Sequence, residues 1–359
     1  MTKKERFLES SALYTLIAIV IGFLVGAILL IVAGISPFEA YGRLFYSVFS
    51  KPKNIIWAII YATPLIFTGL SVAFSFRMGV FNIGAEGQFV VGSLAACLVG
   101  IFVNAPPVIH GILCLLAAAL AGGAWSFIVG LLKVKRGINE VLSYIMFNWI
   151  AYYLSNYIVN IPSVKRVGGG EATKDVADSA MILMPAGIRS LLDSHSLNWG
   201  FLLAVVVAIL IWFIMNKTTL GYQITAVGHN PDASTYAGIS SNKITMLATS
   251  ISGCLAGLGG AVHVLGMSGR ISQFSGQEGF GFEGISVALI GASNPIACIF
   301  SGLFYGIMKY GGSKLSFVNA PSEIVDIIMG TIIVFIAISH VFKYFIAKNS
   351  KKKGGKING

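Results

Sequence analysis

The chain has 359 residues, 56% of them hydrophobic and 11% charged, with a formal net charge of +11 and a mean hydropathy of +0.82. Soluble domains carry roughly 25% charged residues, so this chain cannot cover itself with polar surface, and a string of soluble domains is excluded. The positive charge falls in short clusters at the ends of apolar runs rather than on one polar face, which points to membrane orientation and not to nucleic-acid binding.

The amino terminus places Lys3, Lys4 and Arg6 ahead of an apolar run over 12–33. That run is too long for a signal peptide and lacks a small-residue cleavage site, so an uncleaved first span is expected. Further runs follow at 54–76, 88–103, 108–132, 141–161, 198–215, 244–266, 284–292, 296–310 and 324–346. Most approach the roughly 20 residues that a helix needs to cross hydrocarbon. The expected fold is therefore all-α, one polytopic transmembrane bundle over 1–359 with about ten membrane segments, some of them short, broken or re-entrant. The polar stretch 162–197 is expected to be an external loop. Both termini are expected in the cytoplasm, because Lys133, Lys135, Arg136, Lys217, Lys243 and a basic tail at 347–359 then lie inside. Even parity requires the short run 284–292 to count as a crossing.

Two stretches carry acids and glycines where lipid-facing helices would not. One runs from Gly79 to Gln88 (GVFNIGAEGQ) and the other from Gln277 to Gly284 (QEGFGFEG). Each contains Gly-X-Glu-Gly and leads into an apolar segment, a pattern suggesting two related halves as in many transporters. Glycines let a backbone unwind near a ligand, and the first N–H groups of a following half-helix bind polar atoms. Asn82, Glu86, Gln88 and Glu283 are thus candidates for a polar substrate pathway, with Asn148 further along the fifth run and Phe280 as an aromatic face. The alternative stays open at this level: Glu86 and Glu283 cap helices, Asn139 and Glu140 start one, and Asn148 makes an interhelical hydrogen bond. The four cysteines lie in or beside apolar runs without paired spacing and read as packing residues. None of the five histidines pairs at metal spacing; His110, His195, His263 and His340 are isolated and His229 lies in a loop.

Between Lys217 and Lys243 the chain reads KTTLGYQITAVGHNPDASTYAGISSNK, too polar for a span and long for a simple connection. Asn230-Pro231-Asp232 supplies a helix start, and a short helix over 232–239 would end at Gly238. A two-turn helix is unstable alone, which suggests a soluble partner below the membrane or, alternatively, a solvated loop helix resting on its own bundle. No GxxxxGK[ST] phosphate loop, HExxH or GxSxG motif occurs, so transport energy must come from an ion gradient or another polypeptide.

FNIGAEGQ at 81–88, AVGHNPDASTYAGI at 226–239 and GFGFEGISVALIGASNP at 279–295 together resemble permease subunits of bacterial ATP-binding cassette importers. They are most similar to the nucleoside branch of the group that includes sugar and branched-chain amino acid permeases. The resemblance spans nearly the whole chain. It implies a coupling helix around Gly228, Asn230, Pro231, Asp232, Tyr236 and Gly238 that docks into an ATP-hydrolysing subunit, although the EAA-x3-Gly pattern of many such loops is absent. It also implies a second, related permease protomer in the same bilayer and an external substrate-binding lipoprotein. No cofactor is expected on this chain itself, with ATP and Mg held by the ATPase subunit. The rival readings are a simple-sugar importer permease and a self-sufficient proton-coupled transporter using Glu86 and Glu283.

Overall fold

The computed structural model describes residues 11–168 and 170–354, with residues 11–13 and 339–354 described by backbone alone. Lys3, Lys4, Arg6, Gly169 and Lys356 lie outside the described residues. Described helices, in chain order, are α1 (Ser11–Val32), α2 (Pro37–Phe49), α3 (Pro52–Arg77), α4 (Ala85–Phe102), α5 (Ile109–Arg136), α6 (Glu140–Val159) and α7 (Ala186–Leu191). They continue with α8 (Gly200–Lys217), α9 (Thr219–His229), α10 (Pro231–Tyr236), α11 (Ser241–His263), α12 (Phe280–Ile290), α13 (Pro295–Gly312) and α14 (Glu323–Gly354). Among the described residues, six helices are long and apolar enough to cross a membrane: α1, α3, α4, α5, α8, and α11 together with the π-helical turn Val264–Ser268 that extends it.

The chain divides into two compact units. In the unit formed by 1–47 and 311–359, α1 lies against α14 along Gly22 and Gly26, whose missing side chains let Ile332 and Ile328 approach the helix backbone. Close backbone approach of this kind is the usual basis of helix pairing in lipid, where burial of apolar side chains gives no net advantage. The Tyr41 hydroxyl donates to the Phe23 carbonyl (2.7 Å). Helix α2 carries no apolar run, because Glu39 and Arg43 interrupt it, and hydropathy predicts nothing there. It forms because Ala40, Leu44 and Ser47 recur at helical spacing as one buried stripe.

In the unit 48–310, α11 is central and packs against α3, α4 and α5. Side chains at the seams are small. A Cβ on Gly253 or Gly257 would collide with the carbonyl of Gly122 or Ala118 on α5, and one on Gly92 of α4 would collide with the Gly257 backbone. The outward faces are the reverse: α6 buries Ser143, Tyr144, Asn148 and Ser155 while exposing Leu142, Ile145, Met146, Trp149 and Ile150. An apolar exterior over a polar interior is what lipid contact selects. Helix α6 begins where expected, since the Asn139 side chain accepts from the Val141 and Leu142 N–H groups (2.8 and 3.3 Å). All four cysteines are free, three of them fully buried.

The stretch 162–197 is more built than a plain loop. It holds α7 and a 3-10 turn, Asp178–Ala180, and it is stitched to the segment after α11 by Thr173 N–H donating to Ile271 O (2.8 Å) and Val176 N–H to Gly269 O (2.9 Å). The short run near 284 also starts earlier than its hydropathy suggests. Helix α12 begins at Phe280, inside the polar stretch, and its 11 residues fall well short of a straight crossing.

Candidate functional site

The chain leaves α3 at Arg77 and passes through a non-helical segment, Met78 to Gly84, before α4 starts. Unwound backbone buried in protein needs hydrogen-bond partners for its freed groups. Asn82 supplies them. Its side-chain oxygen accepts from the Gly84 N–H (3.1 Å), and its amide forms a reciprocal pair with Gln88, each amide nitrogen donating to the other's oxygen at 3.0 Å. The Asn82 nitrogen also reaches the Ser252 hydroxyl (2.7 Å) on α11 and the Ser71 hydroxyl (3.1 Å) on α3. Gln88 donates onward to Ser126 (3.1 Å) on α5, which bonds the Tyr144 hydroxyl (3.1 Å) on α6. Asn148 of α6 closes the ring, accepting from Gly87 N–H (2.8 Å) and donating to the Ile83 carbonyl (3.0 Å). Asn82 and Gln88 are fully buried and Asn148 is 2% exposed, so Asn82 and Gln88 are engaged with each other and with hydroxyls while Asn148 is engaged with backbone.

The two Gly-X-Glu-Gly stretches, far apart in sequence, are brought into contact. The Glu86 carboxylate accepts from the N–H groups of Gly279 (2.8 Å) and Gly281 (2.7 Å), so it caps the start of α12 rather than its own helix. A carboxylate at a helix N-terminus satisfies otherwise orphaned donors and complements the helix dipole. Gly281 makes this possible, because any Cβ there would run into the Glu86 backbone. Thr68 of α3 adds a bond to the Phe280 carbonyl (2.9 Å). Glu283, one turn into α12, has a different neighbour: it forms an ion pair with Lys309 of α13. Phe280 stacks on Phe89 of α4, ring centroids 5.0 Å apart, and lies 4.9 Å from the His263 ring of α11.

The expected coupling residues are grouped separately from this cluster. Helix α10 starts at Pro231, one residue earlier than expected, and ends at Tyr236, with Asn230 capping it by accepting from the Ala233 N–H (2.9 Å). Gly238 follows with φ of +83°, and its N–H donates to the Thr235 carbonyl (3.0 Å), the left-handed helix end that glycine permits. Asp232 is exposed and Tyr236 is 95% exposed. Gly228, near the end of α9, lies so close to Arg77 and Met78 that a side chain would meet the Arg77 carbonyl. The loop is thereby keyed into the segment that leads to Asn82. Helix α9 itself is not foreshadowed by the sequence.

Sequence reasoning misses Ser71, Ser126, Tyr144 and Ser252, since lone hydroxyls in apolar runs carry no pattern of their own. Lys309 is legible as a charge within an apolar run but has no partner assigned by spacing. No group of His, Cys, Asp and Glu able to hold a metal occurs among the described residues.

Comparison with known proteins shows the family. The family described as branched-chain amino acid transport system / permease component matches residues 54–337. The guanosine ABC transporter permease protein NupP of Bacillus subtilis (strain 168) is 38% identical over 96% of this chain and 98% of its own length. The nucleoside ABC transporter permease protein NupB of Lactococcus lactis subsp. cremoris (strain MG1363) is 33% identical over 96% and 98%. The glucose ABC transporter permease protein TsgB13 of Haloferax volcanii is 31% identical over 89% and 86%. No solved structure matches. With a family match across the buried polar cluster, the cap on α12 and the keyed loop, the chain belongs to the permease components of the branched-chain amino acid transport family, the membrane subunits of ATP-binding cassette transporters.

Proposed function

We propose that this chain is the translocating subunit of a nucleoside importer, working by alternating access and driven by a separate ATPase subunit that holds ATP and Mg. The observation that carries the substrate class is the near full-length similarity to permeases named for guanosine and nucleosides. A second permease protomer, a related but different chain, completes the path, and an external lipoprotein delivers substrate. Both termini face the cytoplasm, with 162–197 outside.

In this reading α10 is the coupling helix. Its polar exterior around Asp232 and Tyr236 docks on the ATPase, and the contact of Gly228 with Arg77 and Met78 carries its displacement into the Asn82 segment. The path runs along the start of α12, where Phe280 and Glu283 face it. Glu86, Asn82, Gln88 and Asn148 hold the unwound backbone that shapes it.

The test is uptake of labelled nucleosides by proteoliposomes holding the whole complex. Asp232→Arg and Gly238→Trp are expected to lower ATP-driven uptake at least tenfold, the scale of losing contacts worth about 1.4 kcal/mol, while leaving this chain in the membrane. Intact uptake and assembly in both variants overturns the coupling role. Proton-driven uptake by the purified chain alone overturns the importer reading, and uptake of glucose with no nucleoside uptake replaces the substrate.

A further inference from the structure

A cavity of about 90 Å³ opens between α4, the end of α11 and the segment that leads to α12. At its lining stand Ser93, His263, Arg270, Phe274 and Glu278. Ser93 is 2% exposed, yet its hydroxyl has no hydrogen-bond partner, which is rare for a buried polar atom. The His263 ring is held between Phe89 and Phe280, with centroids 5.8 and 4.9 Å away, and the ring nitrogens make no hydrogen bond to any described residue. Arg270 is already engaged, its guanidinium donating to Asp175 (3.1 Å), whereas Glu278 is in no ion pair among the described residues. Unused polar groups converging beside an aromatic wall in an otherwise packed protein mark a ligand site.

We infer that this cavity is a transit subsite for a neutral polyhydroxylated ring, the ribose of a nucleoside or a hexose. Glu278 is an acceptor for vicinal ring hydroxyls, Ser93 and His263 supply a further donor or acceptor each, and the rings beside them present an apolar face to the C–H side of a sugar. Arg270, the cation at the lining, is paired with Asp175, so a phosphorylated solute meets no unpaired cation there. The volume holds several waters, hence one ring and not base and sugar together. This inference rests on the importer reading but not on the choice of nucleoside over sugar.

The test uses the complete complex in proteoliposomes, with loaded lipoprotein in excess so that delivery is not limiting. For wild type, turnover of a ribonucleoside should exceed that of its 2′,3′-dideoxy analogue. Glu278→Gln should lower ribonucleoside turnover about tenfold and erase that preference, as expected on replacing one of two oxygens that face vicinal hydroxyls by a donor. Ser93→Val, which adds bulk to the cavity wall, should slow both solutes. As a check independent of activity, Ser93→Cys in a background lacking the four native cysteines should react with a small methanethiosulfonate reagent. The ribonucleoside should slow that reaction about fivefold or more, while the nucleotide does not. Wild-type preference retained by Glu278→Gln, or a thiol in the Ser93→Cys variant whose reaction is unaffected by solute, overturns the subsite. If the wild-type complex carries hexose and no nucleoside, and Glu278→Gln still lowers that turnover, the subsite stands and the nucleoside reading falls.

Discussion

The two Gly-X-Glu-Gly stretches share a local sequence and a position at the start of an apolar helix, yet their carboxylates do different work. Glu86 is 1% exposed and spends both oxygens on the first N–H groups of α12. Glu283, whose side chain is 14% exposed, pairs with a lysine whose side chain is 35% exposed. The glycines are used alike in both: Gly84 and Gly87 let Tyr144 and Asn148 of α6 close in, and Gly281 and Gly284 let Glu86 and Thr68 do so. The glycine pattern therefore encodes close helix approach, while the neighbouring element decides whether the acid caps a helix or enters an ion pair. A buried acid with two backbone donors is expensive to remove, and a partly solvated ion pair is not.

That contrast is open to attack by substitution, each variant read by thermal unfolding of the detergent-solubilised complex beside its uptake. The largest loss is expected for Glu86→Ala, which strips two charged hydrogen bonds from the start of α12 and should cost about 3 kcal/mol or more. Glu86→Gln retains one acceptor oxygen and should fall midway. Gly281→Ala comes next, at about 1–3 kcal/mol, because its Cβ must push α12 off the Glu86 backbone. Asn148→Ala removes the bonds to Gly87 and Ile83 and should cost about 1–2 kcal/mol. The smallest loss of stability is expected for Lys309→Met, below about 1 kcal/mol, since a partly exposed pair contributes little; its effect should show in uptake instead. A Lys309→Met complex as unstable as Glu86→Ala would erase the distinction between the two acids.

Much of the architecture is readable in advance. Continuous apolar runs reveal α1, α3, α4, α5, α8 and α11, because a helix that crosses hydrocarbon needs about 20 predominantly apolar residues. The cap at Asn139 and the turn at Asn230-Pro231 follow from short-range chemistry, and α10 departs from its expected bounds by only a few residues. Helix α2 stays hidden because its buried stripe is a period of four broken by charges, and α9 because its sequence is polar. The polar pair Asn82 and Gln88 can be named as special, but the hydroxyls that complete their network come from α3, α5, α6 and α11, and no spacing along one chain links Ser71 to Ser252.

By itself, then, the sequence determined that this chain is a helical membrane protein, which apolar runs of membrane length require, and its stretches at 81–88, 226–239 and 279–295 carry the resemblance to permeases. Only the tertiary structure decided which of two similar glutamates is buried as a cap and which meets Lys309, and that His263, isolated in sequence, stands beside Ser93 and Phe280. The physical reason is range: hydropathy and capping act within a few residues, whereas hydrogen-bond partners at membrane depth are recruited from whichever helix the glycines allow to come close.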